Sequence, residues 1–295
     1  MNALLNTITQ GDCLDLIKQI PDSSIDSIIT DPPYLYLKNQ KLDRPFDENL
    51  FFSEAKRVLK RNGFIVLFGR GTSFYRWNCM LANLGFTFKE EIIWNKSYCS
   101  SPLMNISRVH ETISIHTRGK GIINKVKIPY LEMKGNDIDG ICVDLKRFLS
   151  GVKNTKSLNA VLSFLENNKK TLEKERLPCY NITQKITKNV DKSVSIMEAI
   201  KYGMNEKSII KQPRDHYKTI HPTQKPVRLL ERLLALVTNV GDLVLDPFSG
   251  SGSTALACRN TGRNFVAFEI DKEYYDLSIK SLKKEYQTSF FYEKY

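Results

Sequence analysis

The sequence predicts an α/β protein in which a doubly wound sheet of seven strands is interrupted by an insertion. Short apolar runs alternate with helical patterns over residues 1–116 and again over residues 219–295. Between them, over residues 117–218, helical fragments are separated by stretches rich in Gly, Asn, Asp and Lys, and the alternation is lost. We therefore expect two halves of one α/β domain with an inserted region between them.

Seven segments have the length and composition of buried strands. In chain order they are 5–9, 25–30, 64–68, 86–94, 109–115, 243–245 and 263–268. The helix after the second strand is expected to begin at Asp47 and to end at the C-cap signature Arg61-Asn62-Gly63. The strongest amphipathic pattern follows Pro226, a residue suited to the first turn of a helix.

The positive charge is concentrated in the insertion. The chain holds 44 Lys and Arg against 32 Asp and Glu, a net charge of +12. Residues 117–220 alone carry +10, whereas residues 1–116 and 221–295 carry +1 each. Concentrated positive charge is typical of a surface that binds a polyanion such as nucleic acid. A solvated lysine-rich face is the alternative.

Composition places the protein among cytoplasmic globular proteins. Hydrophobic residues make up 41% of the chain, and the six cysteines are far apart with no Cys-x-x-Cys pair. That spacing predicts free thiols in a reducing compartment rather than disulfides or a metal site. We find neither a basic-then-apolar leader nor an apolar run near the ~20 residues that span a membrane.

The second strand is followed by the motif Asp31-Pro32-Pro33-Tyr34, where the chain must leave the sheet. Neither proline has an N–H to donate to a neighbouring strand. Ligands bind at the carboxyl ends of strands in such sheets, so a carboxylate, stiff carbonyls and a flat ring indicate a pocket for a nucleobase. An ordinary turn after a strand is the alternative at this point.

A second candidate site follows the sixth strand, where Gly250-Ser-Gly-Ser-Thr-Ala opens a helix and Glu269 ends the next strand. The pattern satisfies the G-x-G-x-x-G/A nucleotide fingerprint. Asp246-Pro247-Phe248 before the glycines offers an acid and a ring to an amine. Lys225, before a helix, offers a cation to a carboxylate. S-adenosylmethionine combines a ribose, an amine and a carboxylate, and it fits better than NAD with its pyrophosphate.

Taken in this order, the motifs resemble the β group of DNA amino-methyltransferases, in which the catalytic motif precedes the target-recognition region and the cofactor motif comes last. Gln10-Gly11-Asp12-Cys13, His110-Glu111 and the stretch 221–226 also match that family's pattern. The resemblance covers about residues 5–116 and 217–286, and it does not cover the insert. It implies a methyltransferase-like sheet in permuted motif order with an inserted basic target-recognition domain at 117–218.

The family resemblance also implies roles for individual residues. Asp31 and a carbonyl of Pro32 or Pro33 would accept hydrogen bonds from the amine of a flipped base, and Tyr34 would stack on that base. Glu269 would hold the cofactor ribose. The full set expected to bind S-adenosylmethionine is Asp12, Cys13, Asp31, His221, Thr223, Lys225, Asp246, Pro247, Phe248, Ser249, Gly250, Gly252, Ser253, Thr254, Glu269, Ile270 and Asp271.

The function implied is a sequence-specific methyltransferase that acts on the N6 amine of adenine in double-stranded DNA. The acid at Asp31 favours adenine over cytosine N4, where the family more often has serine. A cognate restriction endonuclease and a homodimer are expected partners. Alternatives are an RNA methyltransferase, a dinucleotide-dependent oxidoreductase and a catalytically dead DNA-binding module. Trp94 is interpreted as a core residue rather than as a second ring against the base.

Overall fold

The computed structural model describes residues 3–34, 43–98, 105–135, 137–153, 155–167, 192–214 and 224–283. The chain divides into two units, one formed by residues 1–124 with 207–295 and the other by residues 125–206.

Ten strands are present in the described residues. They are β1 (Thr7–Gln10), β2 (Ile25–Thr30), β3 (Leu59–Gly69), β4 (Thr87–Asn95), β5 (His110–Thr117), β6 (Lys127–Ile128), β7 (Met204–Asn205), β8 (Ile209–Lys211), β9 (Leu243–Asp246) and β10 (Asn264–Glu269). Eight of them form the sheet of the first unit in the order β1-β10-β9-β2-β3-β5-β4-β8. The strands β1, β10, β9, β2 and β3 are parallel, whereas β5 runs antiparallel to both β3 and β4.

The described residues also contain ten α-helices. They are α1 (Cys13–Leu16), α2 (Glu48–Val58), α3 (Gly71–Asn83), α4 (Tyr130–Lys134), α5 (Ile138–Val152), α6 (Thr155–Asn167), α7 (Lys192–Tyr202), α8 (Val227–Val237), α9 (Ser253–Asn260) and α10 (Lys272–Lys283). In the helices that the structure describes, none has the length and apolar character needed to cross a membrane.

The predicted fold class is confirmed: the first unit is an α/β structure on a large, mostly parallel sheet. The count of seven strands is wrong, because β8 adds an eighth at the edge. Ile209 pairs with Ile93 of β4, and the Ile93 N–H donates to the Ser208 carbonyl at 2.7 Å. Three residues are too few to show a strand period, so sequence reasoning left β8 inside the insertion.

The predicted end of the second helix is also wrong. Helix α2 ends at Val58, and Leu59 already pairs with Ile25 in the sheet as the first residue of β3. Leu59 is fully buried, so its place in the core decides the local structure. Gly63 lies within β3 and does not have the positive φ that a C-cap glycine adopts.

The second unit is helical, with its own small core. Ala160, Val161 and Phe164 of α6 pack with Val194 of α7, and β6 pairs with β7. This unit comprises residues 125–206, and β5, which runs to Thr117, belongs to the large sheet of the first unit. The Asn124 side chain then donates to the carbonyls of Ala235 and Thr238, both at 3.0 Å.

Stability of the sheet is expected to depend on pH through His116 of β5. Its Nε2–H donates to Asn78 Oδ1 at 2.7 Å, and its buried Nδ1 has no hydrogen-bond partner in the part of the chain that the structure describes. Burial lowers the His116 pKa from 6.5 to about 4, so the folded protein resists protonation that the unfolded chain accepts. Stability is therefore fully present above pH 6.5 and is lost as the pH falls towards 4. The loss is roughly 3 kcal/mol at most.

Urea unfolding at pH 7 and at pH 4.5 measures this effect. We expect His116→Gln to lose less stability on acidification than the wild type, since Gln carries no titrating group. His110→Gln, which changes an exposed residue of the same strand, serves as the control. An acid-induced loss that is equal in the wild type and His116→Gln would contradict the prediction.

Candidate functional site

A cavity of about 400 Å³ lies at the carboxyl ends of the parallel strands in the first unit. Strand β2 pairs with β9 through Ile28 and Leu245, so the segments that follow these two strands meet although they are far apart in sequence. Most residues that the sequence singled out lie on the cavity wall, namely Asp12, Cys13, Asp31, Pro32, Pro33, Tyr34, Lys225, Asp246, Pro247, Phe248, Ser249, Gly250, Ser253, Thr254, Glu269, Ile270 and Asp271. His221 and Thr223 lie outside the described residues.

Asp31 is held on this wall by two side chains. The Tyr34 hydroxyl donates to Asp31 Oδ1, and the Lys225 ammonium donates to Oδ2. Tyr34 is itself fixed, because Ser73 Oγ donates to its carbonyl at 2.7 Å and its ring lies 6.1 Å from the Trp77 ring. Burial raises the pKa of Asp31, while the Lys225 charge opposes that rise. The carboxylate is therefore pre-positioned at the cavity.

Aromatic rings line the cavity beside this carboxylate. Phe248 lies 5.2 Å from Phe46 and 5.3 Å from Phe51, measured between ring centroids. Phe46 and its neighbours Asp43, Arg44 and Pro45 also lie on the wall. None of these four was named as a site residue from the sequence, where the polar and basic segment 35–46 predicts only a mobile loop over the pocket.

Glu269 ties the glycine loop to the end of β10. Its Oε2 accepts from the Gly250 N–H at 2.7 Å, and its Oε1 accepts from the Asp271 N–H at 2.8 Å. Burial raises the pKa of Glu269, and the backbone donors lower it in part. Because each carboxylate oxygen has a second lone pair, Glu269 can still accept from a ligand hydroxyl.

Gly252 has a conformational part at the start of α9. It is not among the residues that line the cavity, and its φ of +77° forms the N-cap of α9. A Cβ at this position would lie 3.0 Å from Ile8 Cδ1 and 3.1 Å from Ser278 Cβ. Glycine is thus required here for the turn and for close packing.

Asp246 is buried behind the loop at the end of β9. The Phe248 N–H donates to Asp246 Oδ1 at 3.2 Å. Burial raises the pKa of Asp246 to about 7, and the carboxylates of Asp31 and Glu269 add to the rise although Thr254 and Phe248 oppose it. This carboxyl group therefore titrates near neutral pH.

Two further acids on the wall cap helices. Asp12 Oδ1 accepts from the Leu14 N–H at 2.8 Å at the start of α1, and Asp271 Oδ1 accepts from the Glu273 N–H at 2.9 Å at the start of α10. The Cys13 thiol, next to Asp12, is buried, which raises its pKa to about 12 and makes it inert. In the described residues, no group of three or more metal-ligating side chains is found.

Glu111 and Arg214 are charged residues of the wall to which sequence reasoning gave no part in the site. Glu111 Oε1 lies 3.1 Å from Lys96 Nζ and 3.3 Å from Arg214 Nη2, and Oε2 lies 3.3 Å from Lys225 Nζ. Burial would raise the Glu111 pKa, but the three cations outweigh it and hold the pKa at about 2. The pair His110-Glu111, which matches the family's pattern, is the feature of the sequence that points to Glu111. Only the antiparallel course of β5 brings its first residues to the cavity edge.

Trp94 is a core residue, as interpreted. It is fully buried, and its indole N–H donates to the Gln212 carbonyl at 2.7 Å.

Residues 25–280 match the model of a protein family described as DNA methylase. The chain belongs to this DNA methylase family. The match runs from the start of β2 through the second unit into helix α10, so it includes the Asp31–Tyr34 motif and the segment from Asp246 to Asp271. The predicted resemblance to DNA amino-methyltransferases is confirmed at the level of the family.

Similar proteins of known name are also DNA methyltransferases. Type II methyltransferase M.HinfI of Haemophilus influenzae is 27% identical over 96% of this methylase and 70% of its own length. Type II methyltransferase M.BglII of Bacillus subtilis is 27% identical over 95% of this chain and 70% of its own length. DNA adenine methyltransferase YhdJ of Escherichia coli (strain K12) is 29% identical over 94% of this chain and 82% of its own length.

Solved structures share the methylase fold. The M1.HpyAVI–SAM complex aligns with a TM-score of 0.53 and 23% identity, over 93% of this chain and 98% of that one. The cytosine-N4-specific PvuII DNA methyltransferase aligns with a TM-score of 0.59 and 16% identity, over 95% and 86%. These likenesses establish the fold.

Proposed function

We propose that the protein transfers a methyl group from S-adenosylmethionine to the N6 amine of a flipped adenine in a specific sequence of duplex DNA, as the modification enzyme of a restriction-modification system. One observation carries the proposal. The Asp31–Tyr34 motif and the 246–254 loop, which follow paired strands, line a single cavity.

Asp31 supplies the hydrogen-bond acceptor that the chemistry needs. The lone pair of an aromatic amine is delocalised into the ring, so the amine is a poor nucleophile. A carboxylate oxygen and a carbonyl of the Pro32-Pro33 pair favour a pyramidal nitrogen. They also orient its lone pair, and positioning of this kind accounts for much of a transfer rate. As the N–C bond forms, the bond between the methyl carbon and the sulfonium sulfur breaks and its electron pair stays on sulfur, so that S-adenosylhomocysteine is the leaving group. The nitrogen loses a proton, which Asp31 accepts or passes to water.

The residues of the cavity fit S-adenosylmethionine, which supplies an electrophilic methyl group on sulfur. A volume of about 400 Å³ is in the range of small-molecule sites. Glu269 offers carboxylate oxygens to the ribose hydroxyls, and Asp12, Ile270 and Asp271 lie where the adenine end would bind. Asp246 offers a buried carboxylate to the ammonium group, and the Phe248 N–H donates to that carboxylate.

Adenine is favoured over cytosine by the acid of the motif and by the names of relatives. YhdJ, at 29% identity, is an adenine methyltransferase. The basic residues of 117–220 are suited to DNA phosphates, and we assign target recognition to the insert on that ground. A cognate endonuclease, a homodimer and a cytoplasmic location remain predictions from the sequence.

Methyl transfer to unmodified DNA tests the function. The protein is incubated with methyl-labelled S-adenosylmethionine and either mixed-sequence duplex DNA or structured RNA, and the product is digested to nucleosides. We expect label in N6-methyladenine of DNA. Label in N4-methylcytosine alone would assign the cytosine alternative, and label in RNA alone would assign an RNA methyltransferase. If no methyl group is transferred and the protein instead binds NAD, the oxidoreductase alternative would be favoured.

Cofactor binding is expected to weaken in acid because of Asp246. An ammonium group binds its carboxylate form, whereas the ligand-free pKa is about 7. Affinity should therefore be level above pH 7 and should fall up to about tenfold per pH unit below it. Calorimetric titration of S-adenosylmethionine between pH 5.5 and 8.5 measures this. Asp246→Asn should bind weakly at every pH, and an equal pH slope in both proteins would contradict the assignment.

A further inference from the structure

Both oxygens of Asp31 are in contact with side chains of the protein. Tyr34 donates to Oδ1 and Lys225 donates to Oδ2. An incoming amine can still donate to the second lone pair of Oδ2, but it then shares that oxygen with the Lys225 ammonium, whose charge weakens Asp31 both as an acceptor and as a base. Asp31 regains its full strength only if Lys225 moves away from it. A buried ammonium cannot simply be released, because an unpaired charge away from water is costly. A second acceptor for Lys225 is needed.

Glu111 Oε2 meets that need. It lies 3.3 Å from Lys225 Nζ, is inaccessible to solvent and, among the described residues, accepts no well-formed hydrogen bond. The other carboxylate oxygen, Oε1, is occupied by Lys96 and Arg214. These two contacts fix Glu111, so Oε2 faces Lys225 from a constant place. Lys225 also lies over the face of Phe68, 5.1 Å from its centroid, which limits its other directions.

The fold explains why this acceptor is available here. Strand β5 runs antiparallel to β3, with Thr112 opposite Gly69 at the end of β3. The first residues of β5 thus lie at the edge where the parallel strands end. On the other side Glu111 is opposite Trp94, whose ring lies 5.9 Å from Lys96 Nζ and from the Arg214 guanidinium carbon.

We propose that Glu111 is a positioning residue of the methylase, and that its Oε2 takes over Lys225 from Asp31 when the amine of the target base binds. The proposal rests on the proposed methyl transfer. Glu111 touches neither the base nor the methyl group in this scheme. It acts through Lys225, by keeping Asp31 open as an acceptor without leaving a buried ammonium unpaired.

Substitution of Glu111 by Gln tests the takeover. At saturating S-adenosylmethionine we expect the single-turnover rate to fall roughly 10- to 100-fold, because the neutral amide accepts the ammonium poorly and Lys225 stays on Asp31. The KM for S-adenosylmethionine should change less than the rate. Glu111→Asp, which keeps the charge, should recover part of the loss. Glu91→Gln, on an exposed site of neighbouring β4, is the matched control.

A pH profile separates positioning from mere support of the fold. The charged groups that face Asp31 are Lys225 and Glu111, and the carboxyl group of Asp246 also acts on it. The Tyr34 hydroxyl donates a hydrogen bond to it. Removal of the Glu111 charge removes a repulsion, so the acid limb of the rate profile should move to lower pH in Glu111→Gln. A loss of rate with an unmoved acid limb and a lowered melting temperature would overturn the proposal.

A double variant keeps the test valid if Glu111→Gln folds poorly. Lys96→Gln with Glu111→Gln removes one charge of each sign, so the balance of the cluster is unchanged. We expect this variant to bind S-adenosylmethionine and to remain slow. Wild-type speed in the double variant, or in Glu111→Gln itself, would mean that Glu111 only balances charge. A wild-type protein that transfers no methyl group would instead refute the proposed function.

Discussion

Asp31→Asn is expected to lower the rate of methyl transfer by roughly 10³-fold, the largest effect of any single change that we propose. Asparagine keeps the volume of the side chain but replaces one acceptor oxygen by an NH₂ group. That group is a donor, and it would face the donors Tyr34 and Lys225 that now contact the carboxylate. The target amine then meets one acceptor instead of two, and no group remains to take its proton.

The measurement is single-turnover transfer of labelled methyl to duplex DNA with the enzyme in excess. The dissociation constant for S-adenosylmethionine should stay within about tenfold, which would separate chemistry from binding. Asp15→Asn is the control, since that side chain is exposed and forms only an i,i+3 pair with Lys18. Equal rates in the wild type and Asp31→Asn would remove Asp31 from the reaction.

The catalytic and cofactor motifs were predictable because each is local. Asp31 and the prolines reveal a strand end by themselves, and the glycines of 250–252 reveal a turn before a helix. That the two motifs share one cavity required the order of the strands. The resemblance implied only that the two motifs act together, and the pairing of β2 with β9 shows that they follow neighbouring strands.

The ion cluster around Glu111 was not predictable in the same way. It joins residues from β5, from the end of β4, from the segment after β8 and from the segment before α8. No short stretch of the sequence contains two residues of this cluster at a spacing that predicts contact between them. The strand β8 escaped for a related reason, since Ile209–Lys211 is defined by the neighbour β4 and not by its own pattern.

Glu269→Gln is expected to weaken the binding of S-adenosylmethionine by roughly 100-fold. In the wild type the two carboxylate oxygens accept from the Gly250 and Asp271 N–H groups. An amide NH₂ placed against either of these donors leaves a buried N–H without an acceptor. The same change removes an acceptor for the ribose hydroxyls. The glycine loop and the ligand therefore both lose a hydrogen-bond acceptor.

Equilibrium dialysis or calorimetry measures the affinity directly, without any need for the DNA target. Glu273→Gln is the matched control, because that exposed residue lies four positions further along and has no place on the cavity wall. Unchanged affinity in Glu269→Gln would refute a ribose contact. If Glu269→Gln loses affinity but transfers methyl groups at the wild-type rate when saturated, Glu269 serves binding alone, and the chemistry rests on the wall formed by Asp31.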